Sequence, residues 1–246
     1  MLKAALRRYL SPHMREAIHL VRHKESPIIA GLVRRYCTGH GLEIGAGKTP
    51  YGDPGRTTFL DKNVGDKDAT ENADIVADAD AIPRPDAFFD YVLSSHVLEH
   101  VPNTIRTLNE WLRVLKPGGV LFTILPHAER TVDRFREVTT LEHHLKDFAE
   151  GVDHTDRAHF DEMKAGWLKL PEASEESAAQ YQQEWGADLW DWDFRIQHSV
   201  LHYHVWTQDE VVRLYQHMGL EIACVMEIAP EREDSFIVVA KKEPCL

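Results

Sequence analysis

Two carboxylates and two glycines, Glu43, Gly45, Gly47 and Asp61, fall where two apolar runs end. Gly41-Leu42-Glu43-Ile44-Gly45-Ala46-Gly47 reads as a strand finishing in an acid and a glycine turn, and the next apolar run closes on Asp61. Glycine lets backbone approach a ligand closely. A carboxylate beside such a turn repels phosphate and attracts a cation. A second carboxylate only accepts hydrogen bonds, which suits a pair of hydroxyls. The pattern fits a nucleoside with a positively charged tail. Phosphate readings fail on spacing. A P-loop needs glycine five residues before Gly47, where Leu42 stands, and a dinucleotide fingerprint would place its third glycine at Pro50. Proline also lacks an N–H that a pyrophosphate would use.

Histidine brings the other chemistry, because it is the usual proton acceptor near neutral pH. A base for a ligand held at strand ends must follow a strand. His127, directly after the fifth apolar run, is the first choice, followed by His96 after the fourth. His144 is third, on a helix expected to start near Thr140. His202 and His204 alternate around Tyr203 and share a face if that stretch is extended. With Trp206, Arg130 and Arg134 they are expected to bind an acceptor, the arginines through a sugar phosphate or nucleotide diphosphate. Arg130, Arg134 and Arg136 could instead pair with Asp133 and Glu137. His100 is read as structural. Asp153-His154-Thr155-Asp156 with His159 and Asp161 offers ligands, but no pair has a standard spacing and no metal is expected. Cys37, Cys224 and Cys245 are scattered, which fits a reducing cytosol and no metal site.

These residues need a scaffold. The 246-residue chain, 43% hydrophobic, can build one large domain. Strands are predicted near 41–44, 57–60, 74–77, 89–94, 119–125, 221–228 and 235–241. Helices are predicted over Val101–Leu115, stopped by Pro117-Gly118-Gly119, and after Thr207, with Glu210 completing a capping box and Gly219 as the stop. Alternating elements give a doubly wound α/β sheet. Only a turn, Pro230 to Asp234, parts the last two strands, so that edge is antiparallel. Between the fifth strand and Thr207 lie about eighty residues rich in His and Trp, a length normally functional or separately folded. The expected organisation is a basic helical arm over 1–37, a core over 38–125 and 207–246, and an insertion over 126–206 forming a substrate pocket or lid. Glu172 to Gln183 is a polar helix or loop. A net charge of −12 argues against nucleic acid as the main substrate. Residues 1–40 carry eight Lys/Arg against two Asp/Glu, which leaves peripheral membrane contact by the arm open. No apolar run is long enough to span a bilayer, and no signal peptide is expected from the Met1–Arg8 stretch.

Glu43 through Gly47, Asp61, Val76-Ala77-Asp78-Ala79-Asp80-Ala81-Ile82-Pro83, Val97-Leu98-Glu99-His100-Val101 and Leu115-Lys116-Pro117-Gly118-Gly119 stand in an order that resembles class I S-adenosylmethionine-dependent methyltransferases. The resemblance covers roughly 38–125 and 205–241. It implies a Rossmann-like sheet of seven strands, the last antiparallel, with S-adenosyl-L-methionine as cofactor. It implies that Gly45 and Gly47 admit the methionine and ribose, that Glu43 holds the ammonium, and that Asp61 takes the ribose hydroxyls. Asp78 would take the adenine amino group and the Ala79 amide a ring nitrogen, with Asp80 a bystander. Ser94 and Ser95 would flank the methionine; Ala46 and Lys62 complete the set. The stretches Leu125-Pro126-His127-Ala128-Glu129-Arg130 and His202-Tyr203-His204-Val205-Trp206-Thr207 resemble a bacterial subgroup of polysaccharide and sugar-modifying enzymes. The resulting expectation is a cytoplasmic O-methyltransferase of a sugar, glycan precursor or other small hydroxylated molecule. An N-methyltransferase of a small amine, a catalytically inactive binding partner and a homo-oligomer remain open.

Overall fold

The computed structural model describes residues 27–62, 73–170, 190–198, 200–229 and 232–244, with positions 179, 182, 183, 186 and 188. Residues 1–26 of the expected arm, most of the 172–183 tract, Trp185, Pro230 and Cys245 lie outside them.

Seven strands form one sheet: β1 (Gly41–Ile44), β2 (Thr57–Asp61), β3 (Ile75–Val76), β4 (Phe89–Ser95), β5 (Leu115–Pro126), β6 (Leu220–Met226) and β7 (Ser235–Lys242). Their order is β3-β2-β1-β4-β5-β7-β6. β1 to β5 run parallel, and β7 lies antiparallel between β5 and β6. The seven predicted runs all become strands, and the antiparallel edge is as expected. Alternation sends side chains to two faces. Leu42, Ile44, Val92 and Leu121 pack beneath α2 (Thr104–Val114) and α6 (Gln208–His217), whereas Tyr91, Leu93 and Phe122 pack against α1 (Pro27–Tyr36). The helices α3 (Leu141–Glu150), α4 (Ala158–Trp167) and α5 (Trp192–Gln197) belong to the insertion. Phe160, Met163, Leu201 and Tyr203 form a small separate core there.

Three local readings need correction. The helix predicted over Val101–Leu115 begins only at Thr104, capped by the Asn103 side chain accepting from the Arg106 N–H. Val101 precedes a proline, is extended (φ −101°, ψ 133°), and splits off a 3-10 turn at Leu98–His100. The helix ends at Val114, and Leu115 through Gly119 already belong to β5. At α6, Thr207 caps as predicted, but Glu210 does not close a capping box with it. Its carboxylate accepts from the Leu141 N–H and from Arg213 instead, tying the start of α3 to α6. Between β1 and β2, residues 45–56 form turns, as Pro50, Gly52, Pro54 and Gly55 would dictate.

Trp111 is fully buried against the sheet, and its indole N–H donates to the Ala79 carbonyl at 2.9 Å. It joins α2 to the loop after β3, together with Glu110, which accepts from the Ile82 N–H, and Arg113, which donates to the Ile82 and Arg84 carbonyls. Trp111→Ala is expected to lose about 3–5 kcal/mol of unfolding free energy, read from urea denaturation. A loss below about 1 kcal/mol would mean that the Trp111 side chain contributes little to this anchoring.

Candidate functional site

A cavity of about 270 Å³ opens at the carboxyl ends of β1, β2 and β4. Gly45, Gly47, Asp61, Lys62, Asp78 and Ala79, all expected there, line it together with His96. Gly45 has φ +66°, and a Cβ on it would run into Val97 Cγ2. Only glycine suits both that backbone and that approach. Lys62 Nζ meets Asp78 Oδ1 at 2.6 Å, both partly exposed. Asp80, read as a bystander, is also on the wall.

Other expected cofactor residues stand behind this wall. Glu43 is 2% exposed and spends its two oxygens on the Tyr51 and Gly52 N–H groups, at 2.9 and 2.7 Å. Burial raises its carboxyl to about 7 against the pull of these two donors. It therefore shapes the turn after β1 rather than facing the cavity. Ala46 and Ser94 are buried, and Ser95 Oγ accepts from Arg232; none of the three lines the cavity.

His96 sits at the end of β4 with φ +55°, in a left-handed conformation uncommon for a non-glycine residue. Such strain persists only where surrounding contacts hold it. Here Nδ1 lies 3.2 Å from Glu99 Oε1, and Nε2 lies 2.9 Å from Ser235 Oγ, which is itself 2.7 Å from Asp234 Oδ1. Glu99 is fully buried. Burial would raise its carboxyl, but His96, His100 and His202 outweigh this and bring it down to about 2. His100, read as structural, also lines the cavity. Its Nδ1 faces the Leu201 carbonyl at 3.0 Å, and a carbonyl only accepts, so Nδ1 carries the hydrogen. Burial takes His100 down to about 4 despite Glu99. His154 and His198, from the insertion, complete this side of the cavity. Their spacing gave no signal in the sequence, because they reach the strand ends only through the folded insertion.

The two other candidate bases are placed elsewhere. His127 caps the 3-10 turn Ala128–Arg130, its Nδ1 accepting from the Glu129 N–H at 3.2 Å, and its ring packs edge-on against Phe236. His144 is buried and stacked on Trp206 at 4.9 Å. Neither lines the cavity. The expected acceptor residues are dispersed as well. Residues 201–206 thread the interior, so alternation there leaves no open face. Trp206 is core, His204 is fully buried against Asp147 and Thr104, and His202 meets Asp133 at 2.7 Å. Arg130 donates to the Glu227 carbonyl and Arg134 to that of Thr131, both outside the cavity. Arg136 pairs with Asp133, as one reading had it, and with Glu162 rather than Glu137. Of the tract read for metal ligands, His159 joins a cluster, with partners absent from that tract: His143, Asp147 and His204.

Residues 57–123 match the family described as Methyltransferase domain. A 69-residue stretch is 39% identical to 27-O-demethylrifamycin SV methyltransferase of Amycolatopsis mediterranei, covering 25% of this chain and 25% of that protein's length. Among solved structures, similarity extends to a chain from the complex of the Haloferax volcanii Trm112 methyltransferase activator with a methyltransferase (TM-score 0.54, 15% identity, 94% of each chain). It also extends to a Thermotoga maritima S-adenosylmethionine-dependent methyltransferase described as a candidate histamine N-methyltransferase (TM-score 0.50, 14% identity, 93% of this chain and 95% of that one). These structural likenesses carry the fold.

His100 is held neutral, with its folded pKa of about 4 below its ordinary 6.5. Its contribution to stability is therefore present above pH 6.5 and lost as pH falls through 4. The thermal midpoint of the wild type is expected to drop across this window, with up to about 3 kcal/mol at stake, and His100→Gln to flatten the drop. Parallel profiles for the two proteins would contradict the burial of a neutral His100.

Proposed function

We propose that this chain, which carries a class I S-adenosylmethionine-dependent methyltransferase domain, is an O-methyltransferase of a sugar, glycan precursor or other small hydroxylated molecule. The residues at the cavity fit the cofactor. Gly45 brings bare backbone to the cavity wall in a left-handed turn where a Cβ would strike Val97, and Asp61, Asp78 and Asp80 offer acceptors for hydroxyl and amino groups while opposing phosphate. In this reading Gly45 and Gly47 take the methionine and ribose, Asp61 the ribose hydroxyls, Asp78 the adenine amino group and Ala79 the ring. Glu43 acts through the turn it shapes. When bound, the cofactor supplies an electrophilic methyl group.

The observation that carries the hydroxyl reading is His96. A hydroxyl acceptor must lose a proton, and His96 offers an imidazole on the cavity wall with a buried carboxylate behind it. Glu99 stabilises the charge that His96 would gain. With Nδ1 on Glu99 and Nε2 on Ser235, both ring nitrogens are engaged, so His96 takes the proton when Nε2 exchanges Ser235 for the acceptor hydroxyl while Nδ1–H stays on Glu99. The insertion contributes His154 and His198 to the acceptor side. The similarity to an O-methylating relative over 69 residues supports the same reading.

Two measurements test it. Asp61→Ala is expected to weaken binding of S-adenosylhomocysteine by about 1.5–3 kcal/mol, the worth of a charged hydrogen bond; unchanged affinity in calorimetry removes the cofactor assignment. In a screen of hydroxylated and amine acceptors with labelled methyl donor, hydroxyl acceptors should be methylated. His96→Ala is expected to lower turnover about 100- to 10,000-fold with cofactor affinity intact, and His127→Ala to change it little. Turnover of amines alone, indifferent to His96, would favour an N-methyltransferase.

A further inference from the structure

The geometry points to a zinc-type metal site, with His143, Asp147, His159 and His204 as its ligands, that staples the insertion together beside the cavity. His143 and Asp147 stand one turn apart on α3, His159 opens α4, and His204 comes from the interior segment before α6. The four ligand atoms lie within 4.8 Å of one another. Asp147 Oδ2 is 3.2 Å from His143 Nε2, 3.4 Å from His159 Nε2 and 3.1 Å from His204 Nε2, and the first two imidazoles are 3.1 Å apart. A tetrahedron with metal–ligand bonds of about 2.0–2.1 Å has edges of about 3.3–3.4 Å. Four of the six separations sit close to that, and the other two lie within 4.8 Å. Three imidazoles and a carboxylate are also a donor set that suits zinc.

The outer partners turn the rings the right way. His159 Nδ1 faces Asp156 Oδ1 at 3.4 Å, and a carboxylate only accepts, so that nitrogen carries the hydrogen and Nε2 keeps its lone pair. His204 Nδ1 reaches Thr104 Oγ1 at 3.2 Å, which can fix the same tautomer. The Asp147 main chain is held by Asn103, whose side-chain amide donates to its carbonyl at 3.0 Å. With its Nδ1 hydrogen on Asp156, His159 turns an Nε2 lone pair toward Asp147 Oδ2 at 3.4 Å, and two facing acceptors require a cation or an added proton between them. Three of the four residues are buried, where stray protonation is costly.

Four protein ligands close a zinc sphere, which marks a structural role. The site would join α3, α4 and the 200–206 segment. Tyr203, next to His204, meets His154 Nδ1 at 3.4 Å, and His154 is on the cavity wall. The metal would thereby set the wall contributed by the insertion. Its ligands come from three separate segments, so no spacing along the chain pointed to the set, and the proposal departs from the expectation of no metal.

The test is elemental analysis of the full chain after reconstitution with zinc alone, combined with cobalt(II) absorption and thermal unfolding. One zinc per chain is expected, with intense tetrahedral cobalt bands and a melting temperature that falls with chelator and recovers with zinc. His204→Ala should lose the metal. Should that variant not fold, His143→Ala serves, since this ring is about half exposed. It should lower zinc affinity by more than the roughly 10–100-fold that an outer-shell partner is worth. A folded wild type without stoichiometric zinc, whose melting ignores chelator, overturns the site in favour of a protonated cluster. Zinc bound equally well by wild type and His143→Ala also overturns it.

Discussion

A parallel sheet whose chain departs in opposite directions from two neighbouring strands must open a crevice between their carboxyl ends. Here those strands are β1 and β4, paired from Gly41–Tyr91 to Ile44–Ser94. The chain leaves β1 toward β2 and β4 toward β5. Each feature of the candidate site depends on that parting. Gly45 can turn sharply only because it has no Cβ to meet Val97. Glu43, one residue inside β1, is buried by the same geometry and ties down Tyr51 and Gly52, so the turn keeps its shape without a helix.

Buried carboxylates organise the histidines around this crevice. Glu99 is shared by His96 and His100, Asp133 by His202 and Arg136, and Asp147 by His143, His159 and His204. An isolated buried carboxylate would be costly, and each of these is surrounded by several polar side chains. Burial alone would raise the Asp133 carboxyl, but His202 and Arg136 beside it hold it well below the usual carboxylate range. Removing any one of these acids would release several side chains at once, so their effects should not add.

The strands and the glycine turn were legible in the sequence because both are local. Apolar runs ending in Glu43–Gly47 and Asp61 announce themselves within a few residues, and Thr140 and Thr207 cap the helices that follow them. Helix limits were less legible where a residue answered to a distant partner. Glu210 looked like half of a capping box and serves Leu141 instead. The histidines were the least legible. His127 follows a strand as His96 does, but a cap and Phe236 hold it away from the cavity. His100 was read as part of a helix start, which the extended Val101 cut short. The alternation of His202, His204 and Trp206 suggested one open face, yet the segment is covered on both sides. Spacing along a chain does not report what packs above it.

The most direct test of the whole account is calorimetric titration of the full chain with S-adenosylhomocysteine, and separately with NAD and ATP. A site built of glycine turn and carboxylates should bind the adenosyl thioether with a dissociation constant in the micromolar range, about −7 to −8 kcal/mol, and prefer it to both phosphate-bearing nucleotides. Tighter binding of NAD or ATP would contradict it.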